Sequence, residues 1–558
     1  MRGMTGRMLE TFLAVICVSA SLSAADAVIK GVITDSAGKP VRGALVKAIA
    51  GNKTVTRFSQ SDGRYEITVP AGPYDLMVDA YGFAVKRQSI DTTKMASVDV
   101  RLTPKFDVSR LNGSEMESLL PDTPDARQLK SRCIDCHSFP TLLNRRGSTA
   151  AEWKAFLPGM TRDTMGQPYA NSNDATLTVI SNALEKYFGP DSPYFGPDAD
   201  PPSPSQVKHV DLSDDALRAT VVEYDTPTAG SMPHSIEIDT KANVAWFAEY
   251  SWIANKIGRF DIATEKFQEF PMLTPRATPH TGAVAKDGTF WVALAHGGDP
   301  AKLASVDPHT GVVTQYNWPE KQAPGHTMAL DHQGNVWISS VGSVGELWMF
   351  DVETKKYKSY ATPIAPTFPK GSRQEWEFVS GQPTRAANGS YDVAVDNDGM
   401  VWFGEINIGS LVRLNPITGE TKQFRPEGTV SIRGITVDSQ NNLWFGDFHG
   451  HRLGKMDVKT GAVKYYKPPT PNVTPYGFAI EEKTGNVWFA DENGNNITRF
   501  NPKTEHFTEF RIPNPPSRSY ARFIGLDAKG RVWFTEFFGA KIGYVDPNGG
   551  ETTVASAR

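Results

Sequence analysis

The chain has 558 residues, 39% hydrophobic and 22% charged, with a formal net charge of −4. That length exceeds what one hydrophobic core serves. The near-balanced charge, with no Lys/Arg block, excludes nucleic acid and an anionic membrane surface as partners. A content of 48 Gly, 39 Pro and 12 Trp leans toward many short strands and turns.

Residues 1–27 read as a secretory signal. Arg2 and Arg7 make a basic start, Phe12 to Leu22 form a short apolar run, and Ala25-Asp26-Ala27 offers a small-residue cleavage site. The run is too short to span a bilayer, and no later stretch approaches that length. The expectation is an exported, periplasmic protein without a membrane span. Losing the signal removes Cys17, so that of three cysteines only Cys133 and Cys136 remain. One close pair is not a disulfide scaffold.

Residues 28–104 alternate apolar and polar, broken by Gly38-Lys39-Pro40, Asp62-Gly63 and Ala71-Gly72-Pro73. This pattern predicts a small antiparallel β-sandwich. The segment resembles the carboxypeptidase regulatory-like (transthyretin-like) domain, which implies a docking or spacer module.

Residues 105–200 change character. Asp125 to Arg132, Ala150 to Met160 and Asn173 to Phe188 read as helical, the last with Leu177, Ile180, Leu184 and Phe188 at helical spacing. Gly189-Pro190 stops that helix, and a Pro-rich linker occupies 201–218. Between the helices stands Cys133-Ile134-Asp135-Cys136-His137, the Cys-x-x-Cys-His signature of covalent haem attachment. In that chemistry the two thiols bind the haem vinyl groups and His137 is the proximal iron ligand. A zinc site would need further ligands nearby, yet the next His is His209. The arrangement resembles a small class I cytochrome c, which implies one haem c and a Met as sixth ligand. Met160 is the first choice and Met165 the second.

From residue 219 to 558 an aromatic anchor recurs at Trp246, Trp291, Trp337, Trp402, Trp444, Trp488 and Trp533. The spacings are 45, 46, 65, 42, 44 and 45 residues, the long gap holding an insertion near Ala361 to Ser390. Seven units of four short strands predict a seven-bladed β-propeller, with Thr220 to Tyr224 adding an outer strand to the last blade. The expected fold class is therefore multidomain and mainly β: a β-sandwich, a small α-helical cytochrome c domain and a C-terminal seven-bladed propeller. Units such as Trp533-Phe534-Thr535-Glu536 followed by Lys541-Ile542-Gly543-Tyr544 resemble the virginiamycin B lyase (streptogramin lyase) propellers.

Aligning the units places one residue per blade at the channel mouth: His234, His280, His326, Tyr391, Arg433, Tyr476 and Arg522. Three residues after each anchor Trp come Glu249, Leu294, Ser340, Glu405, Asp447, Asp491 and Glu536, expected on the same rim. Trp252, His296, His449 and His451 fall in nearby loops. Three neutral imidazoles are a donor set for a second metal ion, and the arginines favour an anionic or carbonyl substrate. The carboxylates have a plainer reading as hydrogen-bond acceptors between blades. The lyase resemblance implies catalysis by a channel His of the last blade with carboxylates that bind magnesium. At the matching positions this chain has Arg522 and, one blade earlier, Tyr476, while Glu536 keeps the acidic character.

These features read as a periplasmic c-type haem protein with redox function. The propeller binds a small molecule at its mouth, and the haem segment exchanges electrons with a redox partner protein. As an enzyme it would be a dehydrogenase-like oxidoreductase. His234, His280 and His326 would then polarise the reacting group, with Arg433 or Arg522 stabilising its charge. A second reading is a non-catalytic electron-transfer or binding module. A third is a lyase-like enzyme with an accessory haem.

Overall fold

The structure is a computed structural model that describes residues 26–95, 97–134, 137–160, 174–200, 202–295, 302–319, 325–340, 346–363, 390–406, 408–515 and 517–549, without the side chains of 132, 159, 160 and 176. Seven sheets dominate. Blade 1 runs Pro233–Asp239, Val244–Glu249, Lys256–Asp261 and Lys266–Pro271, and five further four-stranded meanders follow. Blade 7 takes three strands from the C-terminal end (Tyr520–Leu526, Val532–Phe537 and Lys541–Asp546) and its fourth, Thr220–Asp225, from before blade 1. No sheet closes on itself. The ring closes because the innermost strand of each blade packs against that of the next, and Tyr520–Leu526 packs back on Pro233–Asp239.

The anchor tryptophans form the glue between blades. Trp246, Trp337, Trp402, Trp444, Trp488 and Trp533 are among the largest fully buried side chains, while Trp291 is almost as enclosed. In four blades an Asp six residues earlier caps the hairpin turn and accepts the indole N–H. The pairs are Asp331–Trp337 at 3.0 Å, Asp396–Trp402 at 2.8 Å, Asp438–Trp444 at 2.8 Å and Asp527–Trp533 at 2.9 Å. A buried indole is thereby satisfied where its apolar body packs best.

The N-terminal sandwich is built from Asp26–Thr34 between Arg64–Pro70 and Val100–Arg101, facing Lys53–Phe58, Leu45–Ala50, Pro73–Asp79 and Lys86–Asp91. Its second sheet does not end at the domain edge. Lys53–Phe58 pairs antiparallel with Thr220–Asp225, so one eight-stranded sheet runs from blade 7 into the sandwich. Ile29, Ile33 and Val46 of the sandwich accordingly share a core with Trp533, Phe247 and Ile542 of the propeller.

The expected small α-helical cytochrome c domain is not found. Residues 105–200 hold only short helices among the described residues: α1 (Gly113–Leu119), α2 (Pro124–Cys133), α3 (Ala150–Met160) and α4 (Asp174–Phe188). They do not enclose a core of their own. Leu129, Phe139, Trp153, Leu184 and Phe188 pack in one cluster with Tyr391, Phe448 and Tyr476 of the propeller. The segment is a cap on the propeller, fastened by polar contacts to the loops of blades 6 and 7. Gly113 N–H donates to Asn493 O at 2.8 Å, Asn493 Nδ2 to Glu117 Oε1 at 2.7 Å, and Asn144 Nδ2 to Ser517 O at 3.1 Å.

That fastening carries a pH dependence. Burial pushes Glu117 up to about 8, with the Lys130 charge acting against it, and burial pushes Asp491 up to about 7. A carboxyl raised this way stays neutral in the folded state. Its contribution is complete below its ordinary value of 4.5 and is lost as pH climbs through about 8. Glu117→Gln keeps the acceptor for Asn493 and removes the charge. It is expected to leave thermal stability at pH 5 unchanged and raise it at pH 8.5, by about 1–3 kcal/mol, the scale of an uncompensated buried polar group. Melting curves at the two pH values check this.

Candidate functional site at the propeller mouth

Each blade bends its innermost strand at the same place. In blade 4, Ser390 pairs with Glu405 and Val393 with Phe403, so Tyr391 and Asp392 together oppose Gly404; the same shift recurs in all seven blades. A β-bulge re-aims the side chain it carries. The first bulge residue of each blade is His234, His280, His326, Tyr391, Arg433, Tyr476 or Arg522, the seven positions aligned from the sequence. In two blades the second bulge residue is Gly, and crowding explains it. A Cβ on Gly434 would lie 1.7 Å from the Tyr476 carbonyl oxygen, and one on Gly477 would lie 2.5 Å from that of Arg522.

The seven side chains meet in one layer. The imidazoles of His234 and His280 lie tilted against each other with centroids 3.9 Å apart, as do His280 and His326 at 4.2 Å, and His326 and Tyr391 at 4.2 Å. Tyr391 and Tyr476 share a hydroxyl–hydroxyl hydrogen bond of 2.6 Å. Arg433 lies over Phe448 at 3.8 Å and near the Tyr391 ring at 5.1 Å. Arg522 completes the circuit, bonding His234 Nε2 at 3.1 Å and Glu492 at 3.4 Å.

Hydrogen bonding fixes the tautomers. Nδ1 of His234, His280 and His326 faces the backbone carbonyl of the next blade's ring residue at 3.2, 2.8 and 3.2 Å. A carbonyl only accepts, so each Nδ1 carries the proton and each Nε2 a lone pair. On His234 that lone pair accepts from the Arg522 guanidinium. Burial, with the neighbouring Arg522 charge, holds His234 far below the ordinary imidazole value; burial also drives His326 down to about 3. The imidazoles are therefore neutral at any physiological pH. Burial raises both phenols as well. Among the described residues no group of three or more His, Cys, Asp or Glu is placed to hold a metal ion, so the second metal expected on His234, His280 and His326 finds no support.

The carboxylates after the anchor tryptophans sit outside this ring. Asp447 accepts from Val430 and Ser431 N–H of its own blade and from Arg452, while Asp491 accepts from Thr474 N at 2.8 Å and Gly494 N at 3.0 Å. Glu405 accepts from Ser410 and Gln423, and Glu536 from Ser519 and Asn514. Burial keeps Glu249 raised to about 8, with Glu269 adding to it. These groups brace the strand ends within each blade rather than across blades, as had been expected. Leu294 and Ser340 take the same position without a charge. His451 is spent on Val473 O at 2.9 Å, His449 lies edge-on to Phe448, Trp252 is exposed, and His296 lies outside the described residues. Tyr250, Glu492 and Phe448, which sequence alignment passed over, do touch the ring; each stands four residues after its blade's anchor Trp, an offset that could have found them.

Of the Cys-x-x-Cys-His motif, Cys133, Ile134 and His137 are among the described residues, in the helical cap. Cys133 ends α2, half-buried beside the cluster that contains Tyr391 and Tyr476, while Asp135, Cys136 and Met165 lie outside the described residues, as does the Met160 side chain at the end of α3. Thr141 donates to Ser138 O at 2.8 Å, so its oxygen accepts from His137 Nδ1 at 2.6 Å. His137 thus has its proton on Nδ1 and a lone pair on Nε2, the state an iron-ligating imidazole requires. Burial lowers its pKa, with the Arg522 charge acting in the same direction. A half-buried Cys at a helix end in an apolar-aromatic setting, four residues before such a His, fits a covalently held haem.

The fold defines a β-propeller whose mouth is covered by a helical cap. Its C-terminal region is virginiamycin B lyase-like, the family profile of that name matching residues 379–556, and a carboxypeptidase regulatory-like domain matches residues 28–103. A solved streptogramin B lyase superposes with a TM-score of 0.51 at 20% identity, over 60% of this chain and 99% of that one. Virginiamycin B lyase from Staphylococcus aureus gives 0.49 at 18% identity, over 59% and 99%. At such identities the likeness is one of fold. No curated protein matches the chain, and neither profile covers the helical cap.

Proposed function

We propose that this protein is an exported haem protein with a redox role, carrying one haem c on Cys133, Cys136 and His137, with the ring at the propeller mouth as its small-molecule site. The observation that carries the reading is that Cys133 packs against the cluster holding Tyr391 and Tyr476, while Thr141 and Ser138 leave the His137 Nε2 lone pair free to ligate. A haem held there supplies one-electron chemistry. The chain's residues do the rest. Thr141 and Ser138 orient His137, and the cap excludes water from the ring. Arg433 and Arg522 favour a molecule that is anionic or builds negative charge, and the neutral imidazoles offer acceptor nitrogens on His280 and His326.

The lyase-like alternative draws on the fold. Against it, the only group at the matching last-blade position is a guanidinium, and the nearest imidazole, His234, gives its lone pair to that guanidinium. Such a nitrogen is a poor base. Expression in a periplasm with haem-maturation machinery, followed by a pyridine haemochrome spectrum and a redox titration, separates the readings. One covalent haem per chain with a reversible couple is the expected result. A colourless, monomeric protein of full length would remove the haem reading.

A further inference from the structure

Where the sandwich meets blade 7, four polar side chains from four segments converge. Lys47 lies in the sandwich strand Leu45–Ala50, Glu223 in Thr220–Asp225 and Glu536 in Val532–Phe537. Asn514 comes from the segment that joins blade 6 to blade 7. Lys47 is only 3% exposed, and both glutamates are fully buried. Their contacts fix how the Asn514 amide is turned. Its Oδ1 accepts from Lys47 Nζ at 3.2 Å, a contact between residues 467 apart in the chain. Its Nδ2 donates to both acids, to Glu223 Oε1 and, at 2.7 Å, to Glu536 Oε2. Lys47 makes no other hydrogen bond and no ion pair among the described residues. The remaining carboxyl oxygens, Glu223 Oε2 and Glu536 Oε1, are buried without a hydrogen-bond partner. Burial lowers the Lys47 amine, against the pull of Glu223, and raises Glu223 well above the carboxylate range, with Glu536 adding to it. A desolvated neutral lysine is a nucleophile, and a carboxyl kept neutral is a proton donor. Here they stand on the two ends of one amide, the amine at its oxygen and the acid at its nitrogen.

We propose that Lys47 and Asn514 are the partners of an intramolecular isopeptide bond, a covalent modification that staples the sandwich to the propeller. Lys47 Nζ attacks Asn514 Cγ and forms the new C–N bond. Glu223 gives its proton to the departing Nδ2 and takes one from Nζ, so its own state is unchanged. The Cγ–Nδ2 bond breaks, and one ammonia leaves. No electrons are gained or lost, and no co-reactant is consumed. Glu536 holds the other Nδ2 hydrogen and keeps the amide in place, which converts a slow encounter into a reaction of neighbours. Pro515 follows Asn514 and has no backbone N–H to attack the same carbon, so the amide is kept for Lys47. The bond is independent of the haem reading, since it shares no residue with the cap or the ring.

Tryptic peptide mapping of the full chain by tandem mass spectrometry reads the bond directly. The expected product is one branched peptide, residues 43–53 joined to 512–518, lighter than the two segments together by one ammonia and uncut after Lys47. Asn514→Ala should abolish it. Glu223→Gln removes the proton shuttle, a group that contributes a hundredfold or more in rate, and should leave the freshly made chain at least about tenfold poorer in the branched peptide. Recovery of Lys47 from the parent only in linear peptides, with a free amine, would overturn the proposal. So would a branched peptide as abundant in Glu223→Gln as in the parent. The parent map needs no variant, so it stays decisive if Glu223→Gln does not fold.

Discussion

Replacing both motif cysteines, C133S/C136S, is expected to yield a full-length, folded protein that holds no haem through denaturing electrophoresis, whereas the parent stains for haem at its chain mass. The effect is all-or-none because thioether attachment needs the thiols themselves, while the fold does not: the cap is held by Phe139, Trp153, Leu184 and Phe188 against the propeller and by the Asn493 contacts. His137→Ala gives the complementary result. Covalent attachment persists, but the reduced spectrum shifts because the imidazole held by Thr141 is gone. Near-ultraviolet circular dichroism should be similar in all three proteins apart from the haem. If C133S/C136S still carries covalent haem, the attachment site is wrong. If the parent never acquires haem, the function drawn from it falls.

Gly434→Val should be the most destabilising single change in the propeller. Its Cβ would stand 1.7 Å from the Tyr476 carbonyl oxygen and 2.4 Å from the Phe478 ring. Neither can retreat, since both belong to the innermost strand of the next blade. The bulge that presents Arg433 would have to flatten or the blades separate, a cost of at least about 4 kcal/mol, in the exceptional class of point mutations. Gly334→Ala is the instructive control. That residue has φ +92° and open space around it, so only backbone strain is felt, about 1 kcal/mol. Urea unfolding midpoints distinguish the two. A small loss at Gly434 would mean that the blades are not packed backbone to side chain at the mouth.

What could be read from the sequence was whatever repeats or stands in a local pattern. One Trp per blade must be buried between sheets, so its period counts the blades, and the residue entering each innermost strand falls 11 or 12 positions before it. The bulge itself was invisible. It is one extra residue against a partner strand, and no residue type marks it except the two glycines. The cap was misjudged for a different reason. Cys-x-x-Cys-His and helical spacing describe segments that look self-sufficient, but contacts such as Asn493 with Glu117 join residues 376 apart in the chain. The pairing of Lys53–Phe58 with Thr220–Asp225 is equally silent, because both strands read as ordinary alternating edges.

Edge strands are where sheet proteins stick to one another. A propeller closed by a terminal strand normally leaves that strand's outer side bare and held by a single ladder. Here Thr220–Asp225 is laced on both sides, to Lys541–Asp546 and to Lys53–Phe58. To spring the ring open, a pulling force or a thermal fluctuation must undo the ladder to Lys541–Asp546 along with the core that the sandwich shares with blade 7. The bare edge has been moved outward to Lys86–Asp91, where Lys86 and Arg87 stand exposed and repel a second copy. The sandwich thus works as a clasp with a charged guard, holding the ring shut and keeping neighbouring molecules from continuing the sheet.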